Sequence, residues 1–219
     1  MQTIIEFFSN LTDPDWIMRN GGLYIVVLIV FIETGLFFGF FLPGDSLLFI
    51  AGMVIANALM PFNVPLSNLL YWIFLITAAG VAGNFAGYWF GKKSEGFLFH
   101  KKDTWLFKKK HLLQAKEFYD KRGGGAIVLA RFLPIVRTFA PIVAGVVKMD
   151  RKKFAFYNAA GSFLWSASIV TAGFLLGENE WVKSNLEKII IGIVVVTTVP
   201  VLIKLLSGRK IAASTAGNL

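Results

Sequence analysis

Between Ser46 and Gly91 the chain carries no charged side chain, and a second uncharged run extends from Phe154 to Gly177. A helix rises about 1.5 Å per residue, so roughly 20 apolar residues cross a hydrocarbon core of about 30 Å. Runs of this length predict spanning helices at about 66–91 and 154–177, and a further one at about 187–206. The composition agrees, being 56% hydrophobic and only 16% charged, with the apolar residues in long blocks. Cysteine is absent, which excludes disulfides, thiolate catalysis and cysteine-ligated metal. The first residues include Glu6, Asp13 and Asp15 and lack a basic stretch before an apolar one, so no removable signal peptide is expected.

The net charge of +9 is unevenly placed: ten of the 22 Lys and Arg lie in Lys92–Arg122 and four more in Lys148–Lys153. Basic loops stay in the cytoplasm, so both segments are expected inside, and the Glu178–Glu187 loop, with three acids and one lysine, outside. The C-terminus, with Lys204, Arg209 and Lys210, then returns to the cytoplasm. The Lys92–Arg122 stretch interleaves its cations with Trp105, Phe107 and Phe118, which suits amphipathic helices lying on anionic lipid rather than on nucleic acid. His100 and His111 fall here without a third ligand nearby and read as surface residues, not a metal site.

The apolar stretch 123–147 thus lies between two loops placed on the same side, which a single span cannot satisfy. It contains Pro134, Pro141 and Gly145, each unfavourable to an unbroken helix, so a re-entrant hairpin is expected; a kinked helix with one misplaced basic loop is the alternative. The stretch 23–60 is too long for one helix and is broken at Pro43-Gly44-Asp45, which suggests a second hairpin, entering from the outer side. The resulting expectation is an all-α integral membrane protein, one domain over 1–211 with a tail at 212–219. Two opposed re-entrant hairpins and their spanning helices form an inverted repeat, followed by one C-terminal transmembrane helix. Inverted repeats with broken helices meeting near the midplane are a transporter architecture.

Four ionisable residues fall in the hairpins: Glu33 and Asp45 in the first, Arg131 and Arg137 in the second. A central charge costs about 2.5–3.5 kcal/mol to insert, so four unpaired ones would cost on the order of 10 kcal/mol, and pairing is expected. One reading is a structural ion-pair network that holds the hairpins in register. The other is a gated polar cavity in which the carboxylates exchange protons and the arginines receive an anionic head group through bidentate hydrogen bonds. Gly80, Gly83, Gly87 and Gly91 form a small-residue stripe for close helix packing, with Asn84 and Tyr88 placed to hydrogen-bond across it.

These residues resemble the DedA family of bacterial inner-membrane proteins, which share the VTT domain with eukaryotic lipid scramblases. Glu33-Thr-Gly-Leu with Phe41-Leu-Pro-Gly-Asp-Ser-Leu-Leu and Ala51-Gly52 is similar to the family's glutamate and its Pro-Gly-acid motif. The segment from Ala130 to Gly145, ARFLPIVRTFAPIVAG, is similar to its arginine motif. The resemblance implies two opposed re-entrant loops and a role in envelope homeostasis, with some members implicated in recycling undecaprenyl phosphate. It implies that Glu33, Asp45, Arg131 and Arg137 are tied to activity and proton dependence. Glu33 and Asp45 are then expected as proton-coupling residues, Arg131 and Arg137 as substrate-binding residues, and Pro43, Gly44, Pro134, Pro141 and Gly145 as motif or hinge positions. One departure is Asn84, where the family often has aspartate.

The function expected is therefore a proton-coupled transporter or flippase of a polyprenyl phosphate lipid, with no cofactor and no metal. Its expected partners are that lipid, anionic membrane lipids and protons, and a homodimer is left open. A scramblase, a proton or ion channel, and a non-catalytic scaffold are the alternatives. A lipid phosphatase is disfavoured, because no histidine lies in the membrane region.

Overall fold

A computed structural model describes residues 22–35, 44–57, 61–100, 124–177, 179–185, 188–189 and 192, and these hold seven helices and no strand. They are α1 (Leu23–Gly35), α2 (Gly44–Asn57), α3 (Pro65–His100), α4 (Gly125–Ala130), α5 (Pro134–Val146), α6 (Arg151–Leu176) and α7 (Glu180–Ser184). Two of them are long and apolar enough to cross a bilayer, Pro65–Ser94 within α3 and Arg151–Leu176. The 187–206 helix, the basic 101–122 segment and the 212–219 tail lie essentially outside the described residues, as does Pro43.

α3 and α6 run antiparallel, tied by Thr77 to Ser166 at 2.7 Å and by Asn84 to Asn158 at 2.7 Å. Hydroxyls and amides pair across this seam because polar groups in an apolar interior must find partners within the protein. The outward faces keep large apolar side chains exposed, among them Phe74, Phe156 and Leu175, each about 70% accessible. Such surfaces suit lipid and not water. At one end Lys92 and Lys93 of α3 meet Arg151 of α6 around a cavity with Trp89, so the described members of the two basic segments share one end of the molecule. α6 starts there, capped by Asp150, whose Oδ1 accepts from the backbone N–H of Lys152 and Lys153 at 3.0 and 2.9 Å.

Four of the remaining helices form two pairs that double back, α1 with α2 and α4 with α5. Leu133, extended at φ −114° and ψ 107° as a residue before proline should be, separates α4 from α5, which has Pro134 in its first turn. The first leg of each pair packs on the long helix that follows it, α1 on α3 and α4 on α6. The second leg packs on the other long helix, α2 on α6 and α5 on α3. Exchanging the two halves leaves this pattern unchanged.

The same exchange relates four glycines. A Cβ on Gly52 of α2 would stand 2.1 Å from the Val170 carbonyl oxygen, and one on Gly145 of α5 would stand 2.1 Å from that of Tyr88. On the receiving helices, a Cβ on Gly173 would meet the Phe49 carbonyl oxygen at 2.0 Å, and one on Gly91 would meet that of Ile142 at 2.0 Å. The glycine stripe on α3 is accordingly a packing face, with Gly83 against Thr34 and Gly91 against α5. Its first member, Gly80, faces Arg131 instead.

A candidate site built from two arginines, two acids and an indole

The charged residues sit where the doubled-back helices break. Glu33 lies in the last turn of α1 and Asp45 in the first turn of α2; Arg131 lies at the end of α4 and Arg137 in the first turn of α5. Helix dipoles favour acids at N-termini and cations at C-termini, which suits Asp45 and Arg131 and disfavours Glu33 and Arg137. The two disfavoured residues pair with each other. Arg137 Nη2 donates to Glu33 Oε1, and Arg137 Nη1 donates to Asp45 Oδ1 at 2.5 Å. One guanidinium therefore joins both legs of the first pair to the second pair, with side-chain exposures of 5% for Arg137, 1% for Glu33 and 14% for Asp45. Asp45 is the member nearest the surface. Gly44 permits the arrangement, because a Cβ there would stand 1.7 Å from Glu33 Oε2.

Arg131 is held differently. It is 1% exposed, and its Nη2 donates to the Gly80 carbonyl at 3.0 Å, to Asn158 Oδ1 at 3.2 Å and to Ser162 Oγ. Among the described residues no carboxylate pairs with it, and its Nε and Nη1 find no hydrogen-bond partner. The expected matching of two acids with two arginines is thus uneven: Arg137 takes both acids and Arg131 takes neutral oxygens. Asn84 supports that neutral shell by donating to Asn158 Oδ1, whose own amide donates to the Val81 carbonyl at 3.1 Å.

Trp165 of α6 joins the two arginine environments. It is 1% exposed, its Nε1–H donates to Asp45 Oδ1 at 2.9 Å, and the Cζ atoms of Arg137 and Arg131 stand 5.0 and 5.5 Å from its ring centroid. Both distances fall within cation–π range, where a desolvated contact is worth about 2 kcal/mol. Trp165, Asn158 and Ser162 do not figure among the residues the sequence nominates. The signal for them is nonetheless there: polar-capable side chains at 158, 162 and 165 recur on one face of an otherwise apolar span.

Of the expected hinge positions, Pro141 lies inside α5 and packs near Gly87, while Gly145 makes the close approach to α3 described above. A buried acid–arginine cluster held where broken helices meet, between two helices of membrane-spanning length, marks a helical membrane protein with a charged centre. The chain belongs to the DedA family of membrane proteins: the VTT domain model matches residues 42–175, a span that holds Asp45, Arg131, Arg137 and Trp165. It is 40% identical over 192 residues to Protein DedA of Escherichia coli K12, covering 88% of this chain and 85% of that one. It is 34% identical to a membrane protein of Mycobacterium leprae, covering 99% and 96% of the two chains. It is 31% identical to the inner membrane protein YqjA of Escherichia coli K12, covering 78% and 74%. No solved structure matches.

Proposed function

We propose that the chain is a proton-coupled transporter of an anionic polyprenyl phosphate lipid, undecaprenyl phosphate, in the bacterial inner membrane, and that it is not an enzyme. The observation that carries this reading is the division between the arginines: both terminal nitrogens of Arg137 are taken by Glu33 and Asp45, while buried Arg131 has no acid and keeps Nε and Nη1 without partners among the described residues. A phosphate needs several N–H donors in one place, and Arg131 supplies the first of them. Protonating the carboxylates would release Arg137 to donate to the same phosphate, and re-ionising them would reclaim Arg137 and expel it. Asp45, the more exposed acid, is where protons would enter.

In this reading the doubled-back pairs α1–α2 and α4–α5 are re-entrant from opposite faces, with the basic end of α3 and α6 and the C-terminus in the cytoplasm. The exchange-symmetric packing supports two similar arrangements of the halves, which is what alternating access requires. The test is transfer of undecaprenyl phosphate between leaflets of reconstituted liposomes, with and without a pH gradient. Gradient-dependent transfer is expected. Transfer that survives Arg131→Ala and Arg137→Ala together would sink the assignment.

One observation favours a second reading, a structural clamp: Arg137 pairs with both acids and joins three helices, as a permanent staple would. Under that reading no lipid or proton moves in liposomes, and Arg131→Ala leaves cellular function intact.

A further inference from the structure

A cavity of about 680 Å³ starts at Asp45 and Trp165 and follows the seam between α2 and α6 towards α7. Its volume lies in the range of about 300–1,000 Å³ typical of ligand sites. Its long wall is apolar, built by Phe49, Ile169, Ala172 and Leu176, and its far end reaches Asn179 and the exposed Trp181. Trp181 suits the membrane–water interface, where an indole has one apolar and one wet side. A hydrated ion travelling this route to Asp45 would shed water against hydrocarbon without compensation. An amphiphile would not, because its head could reach the charges while its tail replaced lipid along the wall.

We propose that this cleft seats the hydrocarbon tail of the transported lipid, with the tail lying beside Phe49, Ile169 and Ala172 and the phosphate directed past Asp45 towards Arg131. The inference rests on the transport reading above and adds where the tail goes and along which seam the lipid enters. Continuity with the charged cluster is what selects this occupant: the cleft ends on Asp45, which accepts from both Arg137 and Trp165.

The test uses the full chain in vesicles of phosphatidylcholine with a polyprenyl phosphate bearing a photoreactive group near the end of its tail. Adducts are expected on Phe49, Ile169 or Ala172, and Ala172→Trp, which fills the cleft, should lower their yield by about tenfold or more. Leu175→Trp, on the outward face, should leave the yield within about twofold. Adducts only on outward residues such as Phe74 and Leu175, or a yield indifferent to Ala172→Trp, would overturn the proposal. Leaflet transfer is followed in the same samples. Cleft labelling without transfer would refute the transport reading while supporting the tail site; transfer without cleft labelling would do the reverse.

Discussion

The indole N–H of Trp165 donates to Oδ1 of Asp45 at 2.9 Å, the oxygen that also receives Arg137. This places one uncharged side chain in contact with three of the four buried charges. Trp165→Phe keeps an aromatic ring for the guanidiniums and removes only the hydrogen bond, so a loss of about 1–3 kcal/mol is expected. Trp165→Leu also removes the cation–π contacts and should lose about 2 kcal/mol more. Denaturant unfolding in mild detergent separates the two variants; equal stability of both with the parent protein would mean that the indole holds nothing together.

Removing Arg137 strands two carboxylates that it alone neutralises among the described residues. Breaking a buried pair by deleting one partner costs about 3–5 kcal/mol, so Arg137→Ala should unfold well before the parent protein. Adding Glu33→Gln and Asp45→Asn to Arg137→Ala removes the stranded charges and should recover much of that loss. Thermal melts of the single and triple variants check this, and a triple variant no more stable than Arg137→Ala would contradict the pairing.

The close glycine contacts give a symmetric prediction. Gly52→Ala, Gly145→Ala, Gly91→Ala and Gly173→Ala each push a methyl against a carbonyl oxygen about 2 Å away and should each destabilise by about 1–3 kcal/mol. Gly125→Ala, with nothing within 4 Å of the added carbon, should be neutral or stabilising by up to about 1 kcal/mol. Melting temperatures of the five variants are the measurement. A tolerated Gly145→Ala beside a disruptive Gly52→Ala would break the proposed equivalence of the two halves.

Much of this was readable in the chain. The uncharged runs locate α3 and α6, and the proline break at Pro134 locates the turn beside Arg131. The end of α3 was not readable, because Lys92 marks where the apolar stretch stops, whereas the helix continues to His100. Charge patterning reports the bilayer boundary and backbone hydrogen bonds do not end there. The uneven sharing of acids between the arginines was equally hidden. It depends on Arg131 reaching Gly80 and Ser162, 51 and 31 residues away, a consequence of packing that no local spacing encodes. Trp165 is not legible either, because an aromatic in an apolar run reads as core, and only the folded chain brings its N–H to a carboxylate.

Charge balance constrains the coupling. Two acids and two arginines sum to zero, and a low-dielectric site strongly disfavours net charge. Each negative charge brought in by a phosphate is therefore expected to enter with one proton on Glu33 or Asp45. Transfer should respond to a pH gradient and not to a potassium–valinomycin potential applied at equal pH. A rate that follows the potential alone would refute this coupling.

The proposed phosphate contact rests on Arg131. Arg131→Gln keeps a donor amide for its neutral neighbours and removes the charge, while Arg137, Glu33 and Asp45 stay paired. Binding of undecaprenyl phosphate to the purified protein, followed by titration calorimetry, should weaken by about tenfold or more, since a charge-assisted hydrogen bond is worth about 1.5–3 kcal/mol. The melting temperature without lipid should fall far less than in Arg137→Ala. Unchanged affinity in a folded Arg131→Gln protein would contradict the claim that this arginine receives the phosphate.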